Sequence, residues 1–266
     1  MTRPIQPALG VQGVAVNFQP EKWVCTISSV DDPALHNGNM PRHVSTLSVN
    51  FAHANPCVLL TGFDAFDGAP LNPSWLAVEA LNGGSAAGHT VVAAQLPTTF
   101  EGSVQELARL LQAHKPALVV CVGLAGGRKG LSLERVAINL SDACIADNAG
   151  LQPIDTPVVA DGPAAYFSTL PIKAMLQALQ QAGLASEVSQ TAGTFVCNHV
   201  FYALMHALAT KHRFKGVRGG FIHVPHLPEQ GTPCMALGDM TRGLRIAVDC
   251  ALSTSCDVAY GAGRIS

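Results

Sequence analysis

Short runs of apolar residues recur along this chain, and helix-forming segments separate them. The runs are "CVLLTGF" (57–63), "TVVAAQLP" (90–97), "ALVVCVGLA" (117–125) and "GGFIHVP" (219–225). Being apolar almost throughout rather than alternating, they suit strands buried on both faces. "NPSWLAVEAL" (72–81), "TFEGSVQELARLLQAHK" (99–115), "PIKAMLQALQQAG" (171–183) and "DMTRGLRIAVDCALST" (239–254) read as helices. The second has a clear apolar face of Val104, Leu107, Leu110 and Leu111, and Gly183 closes the third. "LERVAINL" and "EVSQTAG" add two further strands, the first inside a loop-rich stretch, 126–163. Strands alternating with helices need crossover connections, so the expected fold is α/β, a largely parallel twisted sheet covered on both faces.

Residues 1–56 differ. They hold Pro-, Asn- and His-rich pieces such as "DDPALHNGNMPRH" and keep no period of 2 or 3.6. They are expected to be a weakly structured extension, or sequence upstream of a true start codon, ahead of a catalytic domain at 57–266.

The partners expected follow from composition. The chain is 48% hydrophobic and 13% charged, so much of its surface is expected to be buried, subunit contacts included. Net charge is −2 without blocks of like charge, which recommends neither nucleic acid nor a membrane surface. No apolar run reaches the ~18 residues of a spanning helix, and the N-terminus lacks the apolar core of a secretory signal. Eight scattered cysteines are therefore expected to be free thiols in a reducing cytoplasm.

One of those thiols is placed for chemistry. Cys197 falls in the first turn of the helix within "TAGTFVCNHVFYALMHALATKH" (191–212), where the helix dipole favours thiolate over thiol. The bland alternative is a small core residue. A nucleophilic thiol needs an imidazole base, and the base needs an orienting group. His223 closes the strand "GGFIHVP", which in a parallel sheet brings it near Cys197. Glu134 is a lone acid in an apolar strand, where an unpaired carboxylate is costly. It either orients His223 or pairs with Arg128 or Arg135. The rival use of these residue types is zinc, held by Cys197, His199, His223 and His226, but no CxxC or HExxH accompanies them.

Several blocks together resemble one family. "VLLTGFDAF…NPSW", "LPTTF", "CVGLAGGR…LERVAIN", "DGPAAYFSTLPIKAM", "TAGTFVCNHVFY" and "GFIHVPHLPEQ" are similar to pyroglutamyl peptidase type I, also called pyrrolidone-carboxyl peptidase. The resemblance runs from about Cys57 to the last helix. It implies a cytosolic cysteine exopeptidase without a cofactor, on a three-layer α/β/α sandwich, forming a homodimer or homotetramer. It places the nucleophile on Cys197, the base on His223 and the acid on Glu134. Phe63 and Phe66 would clasp the lactam ring of a pyroglutamyl peptide, with Thr98, Ile145, Phe195 and Val196 completing an uncharged lining and Asn72 nearby. A flat lactam without net charge suits such walls.

Three positions depart from the family pattern. Cys144 stands where the family has an arginine thought to polarise the scissile carbonyl, Asp67 and Gly68 replace two glycines, and Leu124 replaces a frequent glutamine. Losing one oxyanion donor typically costs ~10²–10³ in rate. The alternative function is therefore a weakly active or non-catalytic homologue that binds pyroglutamyl peptides.

Overall fold

The computed structural model describes residues 56–263, and two strands ahead of them. Those strands, β1 (Val14–Gln19) and β2 (Lys22–Ile27), pair antiparallel within a separate unit, residues 1–54. The rest of the expectation for residues 1–56 lies outside the described residues.

The main unit, residues 55–266, is built on a seven-stranded sheet. Its strands are β3 (Cys57–Phe63), β4 (Ser85–Ala86), β5 (His89–Leu96), β6 (Leu118–Leu124), β7 (Leu131–Glu134), β10 (Ser186–Ser189) and β11 (Arg218–Val224). The order across the sheet is β10-β7-β11-β6-β3-β5-β4. β11, β6, β3 and β5 are mutually parallel, so their carboxyl ends share one rim. Two short strands, β8 (Val136–Ile138) and β9 (Ala165–Phe167), pair outside this sheet.

Period-2 geometry explains why the strand sequences are apolar throughout. Val58, Leu60, Leu118, Val120, Val122, Ile222 and Val224 face one core, which is closed by α1 (Pro73–Glu79), α3 (Ile172–Gln181) and α5 (Leu237–Ser253). Leu59, Val119, Cys121 and Phe221 face the opposite core, closed by α2 (Phe100–His114) and α4 (Val196–Thr210). In β3, β6 and β11 every position but one at an end is therefore inside. This is the three-layer α/β/α sandwich. The approach of α1 to β3 is close enough that a Cβ at Gly62 would lie 2.6 Å from the Trp75 Cα, which only glycine avoids.

Two strand expectations need correction. "LERVAINL" is not one strand: it breaks at Arg135, whose amide turns to the Ser189 carbonyl, giving β7 to the main sheet and β8 to the small one. β10 and β7 run antiparallel to β11 at the sheet's end, so Cys197 does not follow a strand parallel to that of His223. The loop after β10 instead carries the chain back to start α4 above the parallel rim. Among the described residues no helix is long and apolar enough to cross a membrane.

Candidate active site

The thiol is placed by the start of α4. Phe195 is the N-cap, no side chain caps the helix, and Cys197 is its second residue. Asn198 anchors that turn: it is fully buried, accepts from the Ile138 amide (3.0 Å) and donates to the carbonyls of Ile138 and Leu140 (2.9 Å each). Beneath the turn lies β6. A Cβ at Gly123 would sit 2.7 Å from the Cys197 sulfur, so glycine there makes room for the thiol. Gly123 is the cross-strand partner of His223, and in this way the sheet register brings imidazole and thiol to one place. The sequence reading used neither Asn198 nor Gly123. The glycine in "CVGLA" was the available signal, because a glycine inside a strand marks close approach by another group.

His223 is nearly inaccessible, and its Nδ1 lies 2.7 Å from Glu134 Oε1. Both alternatives considered for Glu134 occur together, since Arg128 Nη2 approaches the same oxygen at 3.5 Å. Arg128 also donates to Glu187 (3.3 Å) and to the Thr191 carbonyl (3.2 Å). It thereby ties the acid to β10 and to the loop that delivers Cys197. A fully buried carboxylate held this way is compensated by an imidazole and a guanidinium.

The expected lowering of the thiol pKa is not what this environment gives. Burial pushes Cys197 up to about 12, and the nearby charge of Glu134 adds to the rise. The side chain keeps partial exposure to the cavity, so its apolar surroundings rather than complete enclosure disfavour the thiolate. A raised thiol pKa calls for a base that takes the proton as the sulfur attacks.

Cys197 and His223 open into a cavity of about 290 Å³ lined also by Phe63, Phe66, Asn72, Thr98, Phe195 and Val196. The rings of Phe66 and Phe195 stand 6.3 Å apart at 36°. Ile145, also expected in the lining, is 37% exposed and is not among the residues that line this cavity. Asn72 lines the cavity with its amide already engaged, accepting from Ser74 and donating to the Asp64 carbonyl (2.9 Å). Asp64 in turn accepts from the Thr98 amide (2.7 Å) and from Asn148 (3.3 Å), which fixes three loops around the aromatic walls. Leu124, Ala125, Gly126, Arg128, Ala192 and Gly193 complete the lining. Asp67 and Gly68 both take left-handed backbone, φ 53° and 71°, a conformation that explains glycines at these positions in the family.

The histidines proposed for zinc do not converge. His199 Nδ1 pairs with the Ser141 hydroxyl (2.9 Å) and its ring meets Phe100 edge-on at 5.2 Å. Among the described residues no group of three or more His, Cys, Asp or Glu is arranged to hold a metal. Burial lowers His199 from 6.5 to about 4. Between these values the unfolded chain binds a proton that the folded one does not. The contribution is complete above pH 6.5 and is lost as pH falls towards 4. His199→Gln should therefore flatten the acid side of the melting-temperature profile, by about 2 kcal/mol after allowance for partial exposure. Melting curves at pH 4.5 and 7 check this.

Cys144 is exposed and outside the cavity lining. Its loop is nevertheless bound to the approach to Cys197, because Asp142 and Thr194 exchange two hydrogen bonds (3.0 and 2.7 Å). An arginine at 144 would start from an exposed position on the loop that these bonds tie to the start of α4. Cys144→Arg is expected to raise kcat on a pyroglutamyl amide ~10-fold with a smaller change in KM, because a charge-assisted donor made in the transition state appears in kcat. Steady-state kinetics beside a melting curve check it.

Cys197 and His223 line one cavity and Glu134 lies against His223, and a thiol, an imidazole and a carboxylate are the residue types that cysteine peptidases employ. Comparison with known proteins narrows the class. The profile of the family described as pyroglutamyl peptidase matches residues 57–254, and the chain belongs to that family. A pyrrolidone-carboxylate peptidase of Cupriavidus taiwanensis is 57% identical over 215 residues, covering 79% of this chain and 99% of its own. Pyrrolidone-carboxylate peptidase 1 of Ralstonia nicotianae is 55% identical over 215 residues, with the same coverage of both chains. Among solved structures, pyroglutamyl peptidase I of Bacillus amyloliquefaciens superposes with a TM-score of 0.76 at 44% identity, covering 78% of this chain and all of its own.

Proposed function

We propose that this cysteine peptidase removes N-terminal pyroglutamyl residues from peptides, with Cys197 as nucleophile, His223 as base and Glu134 as the group that orients the base. The observation that carries the reading is the 2.7 Å His223–Glu134 contact in the strand register that also sets Gly123 beneath the Cys197 sulfur. His223 takes the Cys197 proton as sulfur attacks the pyroglutamyl carbonyl. The oxyanion is received by the free backbone N–H of Cys197, available because the first amides of a helix have no internal acceptor and no side chain caps α4. The imidazolium protonates the amine, the C–N bond breaks, and an acyl thioester remains. Water, deprotonated by His223, adds to it, and the proton returns to sulfur as pyroglutamate leaves.

The lactam ring is placed in the cavity against Phe63, Phe66 and Phe195, in a lining whose Arg128 is directed at Glu134, Glu187 and Thr191. Glutamate, with an ammonium and a carboxylate to desolvate, does not fit. The reaction as written uses no cofactor, and the reading extends to a cytoplasmic homodimer or homotetramer. Hydrolysis of a fluorogenic pyroglutamyl aminocoumarin, abolished by iodoacetamide and indifferent to EDTA, is the expected result. Inhibition by EDTA alone, or no hydrolysis by folded protein, would refute it. Residues 57–266 are proposed to suffice, so deleting 1–54 should leave rate and melting temperature nearly unchanged.

A further inference from the structure

The cavity at Cys197 has a continuation. A groove of about 750 Å³ is lined by Gly127, Arg128, Lys129 and Gly130 on one side and by all seven residues from Ala185 to Thr191 on the other. Arg128 belongs to both spaces, and Thr191 leads directly into Ala192 and Gly193 of the cavity wall. Consecutive residues of a strand point to opposite faces, so a groove touching every one of them runs along the strand's edge. β10 is the terminal strand of the sheet, and its outer side is paired with no strand among the described residues. The carbonyls of Ala185 and Ser189 accept from the amides of Leu131 and Arg135. In the alternating ladder this directs the N–H and C=O of Ser186, Val188 and Gln190 outwards, along the groove.

We propose that this edge binds the peptide on the leaving side of the scissile bond, as an extended strand added to β10. The inference rests on the function proposed above. That function fills the cavity with the lactam and sends the rest of the substrate out past Cys197, and the groove that meets the cavity at Arg128 can receive a chain. An extended peptide is the class of ligand, because an open edge offers main-chain donors and acceptors and reads little side-chain identity. A strand lying on the outward groups of Ser186, Val188 and Gln190 spans about three to four residues at ~3.3 Å each. The preference expected is thus for leaving-chain length, with broad tolerance of sequence.

The test compares kcat/KM for pyroglutamyl substrates whose leaving part is an aminocoumarin, one amino-acid amide, or peptides of two to five residues. The value should climb roughly ten-fold between one and four residues and then level off, as two or three net hydrogen bonds would give. Ser186→Pro removes an outward N–H at the first residue of the strand, where proline is tolerated. It should cut the ratio of long to short substrates several-fold, and a general folding defect cancels in that ratio. A flat length series with active enzyme overturns the proposal. So does a ratio unmoved by Ser186→Pro, or an edge shown by sedimentation of that variant to be occupied by a second copy. Failure of the underlying function is distinct: the aminocoumarin amide itself would then go uncleaved.

Discussion

Cys197→Ser eliminates hydrolysis of pyroglutamyl amides while leaving the fold intact. Sulfur and oxygen are close in shape, and the site is half open to the cavity, so the melting temperature should move by a degree or two at most. The chemistry is another matter. Burial and Glu134 already hold the thiol near 12, at the edge of what an imidazole can draw off with substrate in place. A serine hydroxyl starts from a far higher pKa and meets the same desolvation and the same negative neighbour, with no stronger base to compensate. A loss of at least ~10³-fold is expected, comfortably within the ~10⁶ that nucleophile removal can cost. Residual activity above about a tenth of the parent rate, well outside such losses, would mean that the nucleophile is another group. The variant should still bind a pyroglutamyl peptide, because the aromatic walls are untouched, and a calorimetric titration would separate lost chemistry from lost binding.

The parts of this molecule that were legible in the sequence are those set by local pattern. Runs such as "CVLLTGF" carry apolar residues at odd and even positions alike, and the two cores use both sets, so strand and two-sided burial follow from one observation. The placement of Cys197 at a helix start is equally local. What could not be read depends on relations between distant segments. Nothing in "EVSQTAG" states that its strand lies at the sheet's end and runs opposite to β11, because direction is fixed by partners rather than by its own four residues. The break in "LERVAINL" is of the same kind: the Arg135 amide still bonds to Ser189 of β10, 54 residues later, whereas Val136 to Ile138 pair with β9 outside the sheet. Arg128 could be anticipated as a partner for Glu134. That it also grips Thr191, and so links the acid to the nucleophile's loop, requires β10 and β7 side by side. Ile145 was expected in the cavity on resemblance alone, and it stands 37% exposed outside the residues that line it. A helix dipole is visible in sequence, whereas the desolvation that raises the thiol pKa is not.

The same long-range assembly sets what happens when the acid is neutralised. Glu134→Gln preserves length and shape, so any loss reports on charge and hydrogen-bond polarity. In the parent, Oε1 receives the His223 Nδ1 proton and the Arg128 guanidinium, while Oε2 is buried without a protein hydrogen bond. A carboxamide has one acceptor and one NH₂ to distribute over these places. With oxygen at the Oε1 position, the NH₂ falls where Oε2 was and finds no acceptor, which costs ~1–3 kcal/mol of stability. With nitrogen there, it opposes Arg128 and forces the His223 proton onto Nε2, the atom that must accept from Cys197. That is the wrong tautomer for a base, and an asparagine in the equivalent role of a serine peptidase triad costs about 10⁴ in kcat. The expected result is a fall in kcat of ~10²–10⁴ with KM within a few-fold, since the lactam walls do not involve Glu134. The charge of Glu134 has a second effect that runs the other way. It raises the Cys197 pKa, so its removal should make the thiol more acidic and quicken iodoacetamide alkylation at neutral pH even as peptide hydrolysis collapses. Faster alkylation with slower turnover is a signature that simple misfolding does not produce. If turnover and alkylation instead fell together in a stable protein, Glu134 would be acting on the position of the thiol rather than on the base, and the role assigned to it here would be wrong.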